Sequence, residues 1–156
     1  MVKWGQRGDN VKIIINTDEK FSDTEIIINT RSITPELEKI IGTLRIFDRQ
    51  IAAVKGDEAF IVDVNSIIYI ESVDRKTFIY TADDCYELKQ RLYEIEEQLC
   101  HCGFFRVSKS CLVQLKYIRS LKSEINRKIR ITLENGEQII ASRQYADELK
   151  RRLGVK

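Results

Sequence analysis

Between residues 50 and 142, short runs of β-branched and aromatic residues alternate with polar turns, a rhythm that excludes a helical bundle. Runs 50–54 and 59–62 flank the turn Lys55-Gly56-Asp57-Glu58. Runs 66–72 and 77–81 flank Val73-Asp74-Arg75-Lys76, and run 85–88 follows the turn Ala82-Asp83-Asp84. Runs 128–133 and 138–142 enclose Glu134-Asn135-Gly136-Glu137, where Asn-Gly predicts a two-residue type I′ hairpin turn. One stretch keeps a helical spacing instead. Leu88, Leu92, Ile95 and Leu99 recur at intervals of four, three and four, and Gly103 is placed to end that helix. A short helix from about residue 144 closes the chain. The expected fold is mainly β (α+β), an antiparallel domain with one principal helix. No pair of helices suggests a helix-turn-helix reader.

The first fifty residues read as a small α/β segment. Isoleucine-rich runs 11–15 and 25–29 are strand-like, and Thr34-Pro35 is a helix start: a capping hydroxyl, then a proline where no N–H is needed. Leu37, Ile40, Ile41 and Leu44 follow as one apolar stripe to about Phe47. The expected division is therefore 1–48 and 49–156. No apolar run approaches the roughly 18 residues of a membrane span, and the N-terminus lacks the apolar core of a signal peptide. Four cysteines without a disulfide-like framework fit a reducing compartment, so a cytoplasmic location is expected.

Charge is unevenly distributed. Residues 103–156 carry 13 Lys and Arg against 5 Asp and Glu, while residues 1–102 carry 13 against 19. A cationic third on an anionic remainder can steer a polyanion onto one face. Charge alone leaves open the reading that these cations are scattered and solvated.

Within the cationic third, an apolar segment that starts at Phe104-Phe105 is interrupted by Arg106, Ser108, Lys109 and Ser110 and resumes at Cys111-Leu112-Val113. Strand-forming residues on both sides would hold a short donor-rich loop on a rigid support, facing phosphate oxygens or base edges. An ordinary polar turn is the plainer alternative. Phe104 and Phe105 could stack on unpaired bases, but core burial explains them more simply. Cys100-His101-Cys102 is no zinc set, since neighbouring ligands on a helix diverge around its circumference. Glycine-rich phosphate loops and nucleophile elbows are absent, so neither catalysis nor a cofactor is expected.

The ordered set Ile68-Tyr69-Ile70-Glu71-Ser72, the run from Thr77, the leucine-spaced helix, Phe104-Phe105-Arg106-Val107-Ser108-Lys109-Ser110, Val113, Tyr117-Ile118, Asn135-Gly136 and Ser142-Arg143 resembles the LytTR DNA-binding domain of bacterial transcription regulators. The resemblance covers about residues 50–154. It implies an elongated β core whose inter-strand loops enter successive major grooves on one side of DNA. Carried over residue by residue, the readout falls at Arg75-Lys76-Thr77, at Ser108-Lys109 and at Arg143-Gln144. Arg106 and Lys116, with Arg119 and Lys122, are then candidates for phosphate. Three departures put the preferred DNA sequence in doubt: Ser108 stands where histidine is usual, Gln114 where asparagine is usual, and Gln144 where the residue is often basic.

The expected function is a sequence-specific, double-stranded DNA-binding regulator on direct repeats, acting as a homodimer or as paired protomers. Residues 1–48 would supply dimerisation or meet a controlling partner, such as a protein antagonist. They are too short for the phosphoacceptor receiver found in many relatives. Two rivals stand beside this reading: a protein-interaction module with weak, non-specific DNA affinity, and an RNA binder using the same cationic face.

Overall fold

The computed structural model describes residues 2–4 and 11–155. By its contacts the chain divides into residues 1–33 and 34–156. In the first unit, β1 (Val2–Trp4) pairs antiparallel with β2 (Val11–Ile13). The strand expected over 25–29 does not form. No ladder partner faces it, and Ile26, Ile27 and Ile28 stay exposed. Strand-forming residues without a neighbouring strand have no hydrogen bonds to gain from extension.

The second unit opens with α1 (Pro35–Phe47). As expected, the Thr34 hydroxyl accepts a hydrogen bond from the Leu37 N–H at 3.2 Å, and Pro35 takes the first helical position. This helix lies with the strands that follow it, so the contacts separate the units at 33/34 rather than after residue 48.

Seven antiparallel strands form the main sheet: β3 (Gln50–Lys55), β4 (Glu58–Asp63), β5 (Tyr69–Val73), β6 (Lys76–Tyr80), β7 (Cys85–Leu88), β8 (Phe104–Ser108) and β9 (Cys111–Gln114). Their order is β4-β3-β7-β6-β5-β9-β8. Between β7 and β8 lies α2 (Leu92–Gln98), shorter than its leucine spacing suggests because Leu88 belongs to β7, opposite Thr77. A second sheet, β10 (Ile118–Ser123), β11 (Ile129–Leu133) and β12 (Gln138–Ala141), precedes α3 (Arg143–Arg152). The sequence pattern missed β10. Its buried positions do not alternate, and its register slips between Ile118 and Ser120, as an edge strand tolerates.

Two apolar cores flank the β8–β9 hairpin. The first gathers Ile51, Ile70 and Ile79 with Leu92 and Ile95 of α2 and Leu99 just after it; the second gathers Ile129, Ile131 and Leu133 with Ala146 and Leu149 of α3. Neighbouring strand residues point to opposite faces, so Phe104 and Leu112 join the first core while Phe105, Val107, Cys111 and Val113 join the second. Both phenylalanines are buried core residues. Each contributes roughly 2–3 kcal/mol by leaving water. A hairpin buried on both faces is a stiff support for whatever its loop carries.

Two turns differ from the expected chemistry. The β11–β12 hairpin has a three-residue loop in which Gly136 alone is left-handed (φ 87°), and Asn135 Oδ1 accepts from the Glu137 N–H at 3.0 Å. The two-residue turn sits elsewhere. Val73 pairs with Lys76, and Asp74 (φ 50°) and Arg75 (φ 66°) between them are both left-handed, as a type I′ turn demands.

Candidate nucleic-acid interface

Strand order brings the Arg75 turn beside the Lys109 loop. Strands β5 and β9 are neighbours with Glu71 opposite Cys111, and the Ser72 N–H donates to the Ser110 carbonyl at 2.8 Å. Arg75, Lys76, Lys109 and Ser110 are exposed at this end, with Ser108 partly covered. Thr77 is different. It is only 2% exposed, a buried strand residue at the base of the turn.

The loop is tied from within. Arg106 is on the same face of β8 as Phe104, towards α2, and makes a two-pronged pair with Glu96: Nε to Oε2 at 3.0 Å and Nη2 to Oε1 at 3.1 Å. Its third donor, Nη1, reaches the Lys109 carbonyl at 2.7 Å. With 16% of its side chain exposed, Arg106 is a clamp on the loop rather than an outward cation. The Ser110 N–H turns back to the Ser108 hydroxyl at 3.3 Å. Two carbonyl oxygens that would repel an anion, those of Lys109 and Ser110, are thus both bonded inward. Below them the Cys111 thiol is pushed up to about 12 by burial, with the Glu71 charge adding to the shift.

Arg75, Arg106 and Lys109 line one open depression of about 250 Å³, with Ser72 and Thr77. Its remaining wall is Arg91, Leu92 and Tyr93 at the start of α2. No lining residue is a carboxylate. Sequence reasoning missed Arg91, which no motif or periodicity marks. A larger depression of about 380 Å³ is lined by Asp63, Asp83 and Asp84 with Phe60 and Tyr86 and contains no cation, so it does not suit a polyanion.

Arg143 and Gln144 are exposed at the start of α3. The Ser142 N–H donates to the Val107 carbonyl at 2.8 Å, which pins this helix start next to the end of β8 and its loop. Ser142 occupies the cap position, but its hydroxyl makes no capping bond. Lys116 stands apart. It follows β9, where the Leu115 N–H bonds the Gly103 carbonyl, and its ammonium lies 5.2 Å from the Tyr117 ring centroid. At about 3.3 Å per strand residue, Lys116 is roughly 15–20 Å from the Lys109 loop. Arg119 and Lys122 are exposed on β10, at an edge of the second sheet.

The family model of the LytTr DNA-binding domain matches residues 57–154. An uncharacterized HTH-type transcriptional regulator of Staphylococcus aureus (strain NCTC 8325 / PS 47) is 29% identical over 147 residues, spanning 93% of this chain and 98% of that protein. The sensory transduction protein LytT of Bacillus subtilis (strain 168) is 32% identical over 106 residues, 68% of this chain and 44% of LytT. Among solved structures, the LytTr DNA-binding domain of a Bacillus cereus protein superposes with a TM-score of 0.64 at 24% identity, over 68% of this chain and 97% of that one. Among the described residues of this chain no two helices follow one another, so it carries no helix-turn-helix.

Proposed function

The chain belongs to the LytTr DNA-binding domain family, and from that premise we propose a sequence-specific transcription regulator that reads double-stranded DNA in the major groove. Its output is occupancy of a promoter site, with no chemistry performed. The observation that supports this reading is the gathering of two hairpin loops and a helix start at one end of a stiff hairpin. The bonds from Ser72 to Ser110 and from Ser142 to Val107 hold them together. In this reading Lys109, Arg75 and Arg143 meet guanine O6 and N7 or phosphate, and Gln144 meets adenine. Ser108, Ser110 and Lys76 add hydroxyl and ammonium donors, Thr77 supports the turn from within, and Arg106 positions the loop. Lys116, at the far end of the hairpin, touches phosphate alone.

The proposed sites are direct repeats bound by two protomers. Residues 1–33 would dock the second copy, since they expose isoleucines 14, 15, 26, 27 and 28. No helix among the described residues is long and apolar enough to cross a membrane, which agrees with action on DNA in the cytoplasm.

Competition gel shifts test the proposal. Labelled duplex with family-like repeats should resist random duplex and RNA competitors, and affinity should fall steeply with salt. Equal competition by random duplex refutes sequence reading; preference for RNA refutes the duplex target. Arg143→Ala should relax selectivity at one base step, whereas Lys116→Ala should weaken all duplexes alike. Ultracentrifugation of a variant lacking residues 1–33 tests the docking role. Unchanged association would assign that surface to a different protein, such as an antagonist.

A further inference from the structure

We propose that Arg91 completes a phosphate seat with Arg75 and Lys109, and that this seat takes one backbone phosphate of the bound duplex. The proposal rests on the DNA-binding reading above. Three separate parts of the fold, the β5–β6 turn, the residue before α2 and the β8–β9 loop, bring these cations to the rim of one depression. Each is exposed, and none is in an ion pair among the described residues. The fourth cation, Arg106, has its charge matched by Glu96. Three cations without a direct ion-pair partner around one hollow repel one another, and an anion between them lowers that cost.

The lining chemistry selects phosphate over a base. Guanidinium and ammonium groups offer only donors, and a phosphodiester offers only acceptors. A guanine edge occupies a single bidentate cation and leaves two unmatched. The loop carbonyls at the rim are already turned inward, Lys109 to Arg106 and Ser110 to Ser72. Arg91 also starts from a fixed base. Its own N–H donates to Glu94 Oε2 at 3.0 Å, and the next residue, Leu92, is buried in the first core.

The test is duplex affinity by fluorescence anisotropy for the full chain and its Arg91→Gln and Arg91→Lys variants, on repeat-bearing and random duplexes between about 50 and 200 mM salt. One lost phosphate contact lowers the log–log salt slope by about 0.9, so the wild-type advantage over Arg91→Gln should shrink about 3.5-fold across that fourfold range. The loss should be equal on both duplexes, because phosphate carries no sequence. Arg91→Lys should keep the wild-type slope, and melting temperatures should coincide because the side chain is exposed. An unchanged slope for Arg91→Gln, a loss confined to the repeat duplex, or failure of lysine to restore the slope would overturn the seat while DNA binding stands. Wild-type protein that binds no duplex would overturn both.

Discussion

Arg75→Gly separates stability from binding at one residue. Arg75 holds a left-handed backbone (φ 66°) in the two-residue turn between β5 and β6, and an L side chain there costs roughly 1–2 kcal/mol. Glycine removes that strain but gives back about 0.5–1 kcal/mol through the freedom of the unfolded chain. The side chain is exposed and forms no ion pair among the described residues, so no contact offsets the gain. A net stabilisation of about 0.5–1 kcal/mol follows, or a melting temperature higher by roughly 1–4 °C. Duplex binding should move the other way, weakening by about 1 kcal/mol or more, at least fivefold. Arg75→Ala is the control: it loses the charge and keeps the strain, so it should bind as weakly without melting later. Calorimetry and anisotropy read the two effects. A lower melting temperature for Arg75→Gly, or wild-type affinity, would refute the account of a strained turn kept for its cation.

Glu96→Gln removes an acid near the proposed DNA face, yet it should weaken duplex binding, because Arg106 then loses its partner and its hold on the Lys109 carbonyl; stronger binding by anisotropy would make Arg106 itself a phosphate contact. Leu112→Ala, in the first core at 0% exposure, should cost about 2–5 kcal/mol in urea unfolding, and a loss under 1 kcal/mol would deny that the hairpin is clamped between two cores. Alkylation of native protein near pH 8 should modify exposed Cys100 and spare Cys111, which should react only after unfolding. The buried Cys111 thiol is raised above its ordinary value of 9.0 to about 12, so its contribution to stability is complete below about pH 9 and is lost as pH rises towards 12. A Cys111→Ala variant should lack that component of the alkaline decline.

Much of the architecture is written locally. The capped start of α1 needs only Thr34 and Pro35, and β3–β4 needs only two alternating runs around Gly56. Lys109 and Arg75 are legible as loop residues because β-forming neighbours bracket them. Other features depend on partners distant in the chain. The run at 25–29 has strand composition but no neighbour to pair with, while the polar β10 forms because β11 offers it a ladder. Arg106 reads as one more free cation until Glu96, ten residues earlier on α2, takes its donors.

The alternation of residue types determined a mainly antiparallel β fold and set the basic loop between two strands, because period and turn chemistry act over a few residues. Tertiary structure alone decided which loops share an end. Burying both faces of β8–β9 seats β5 against β9, and that adjacency brings residues 75, 91 and 109 to one hollow. Burial of apolar surface is blind to sequence distance, so no local pattern could have named Arg91.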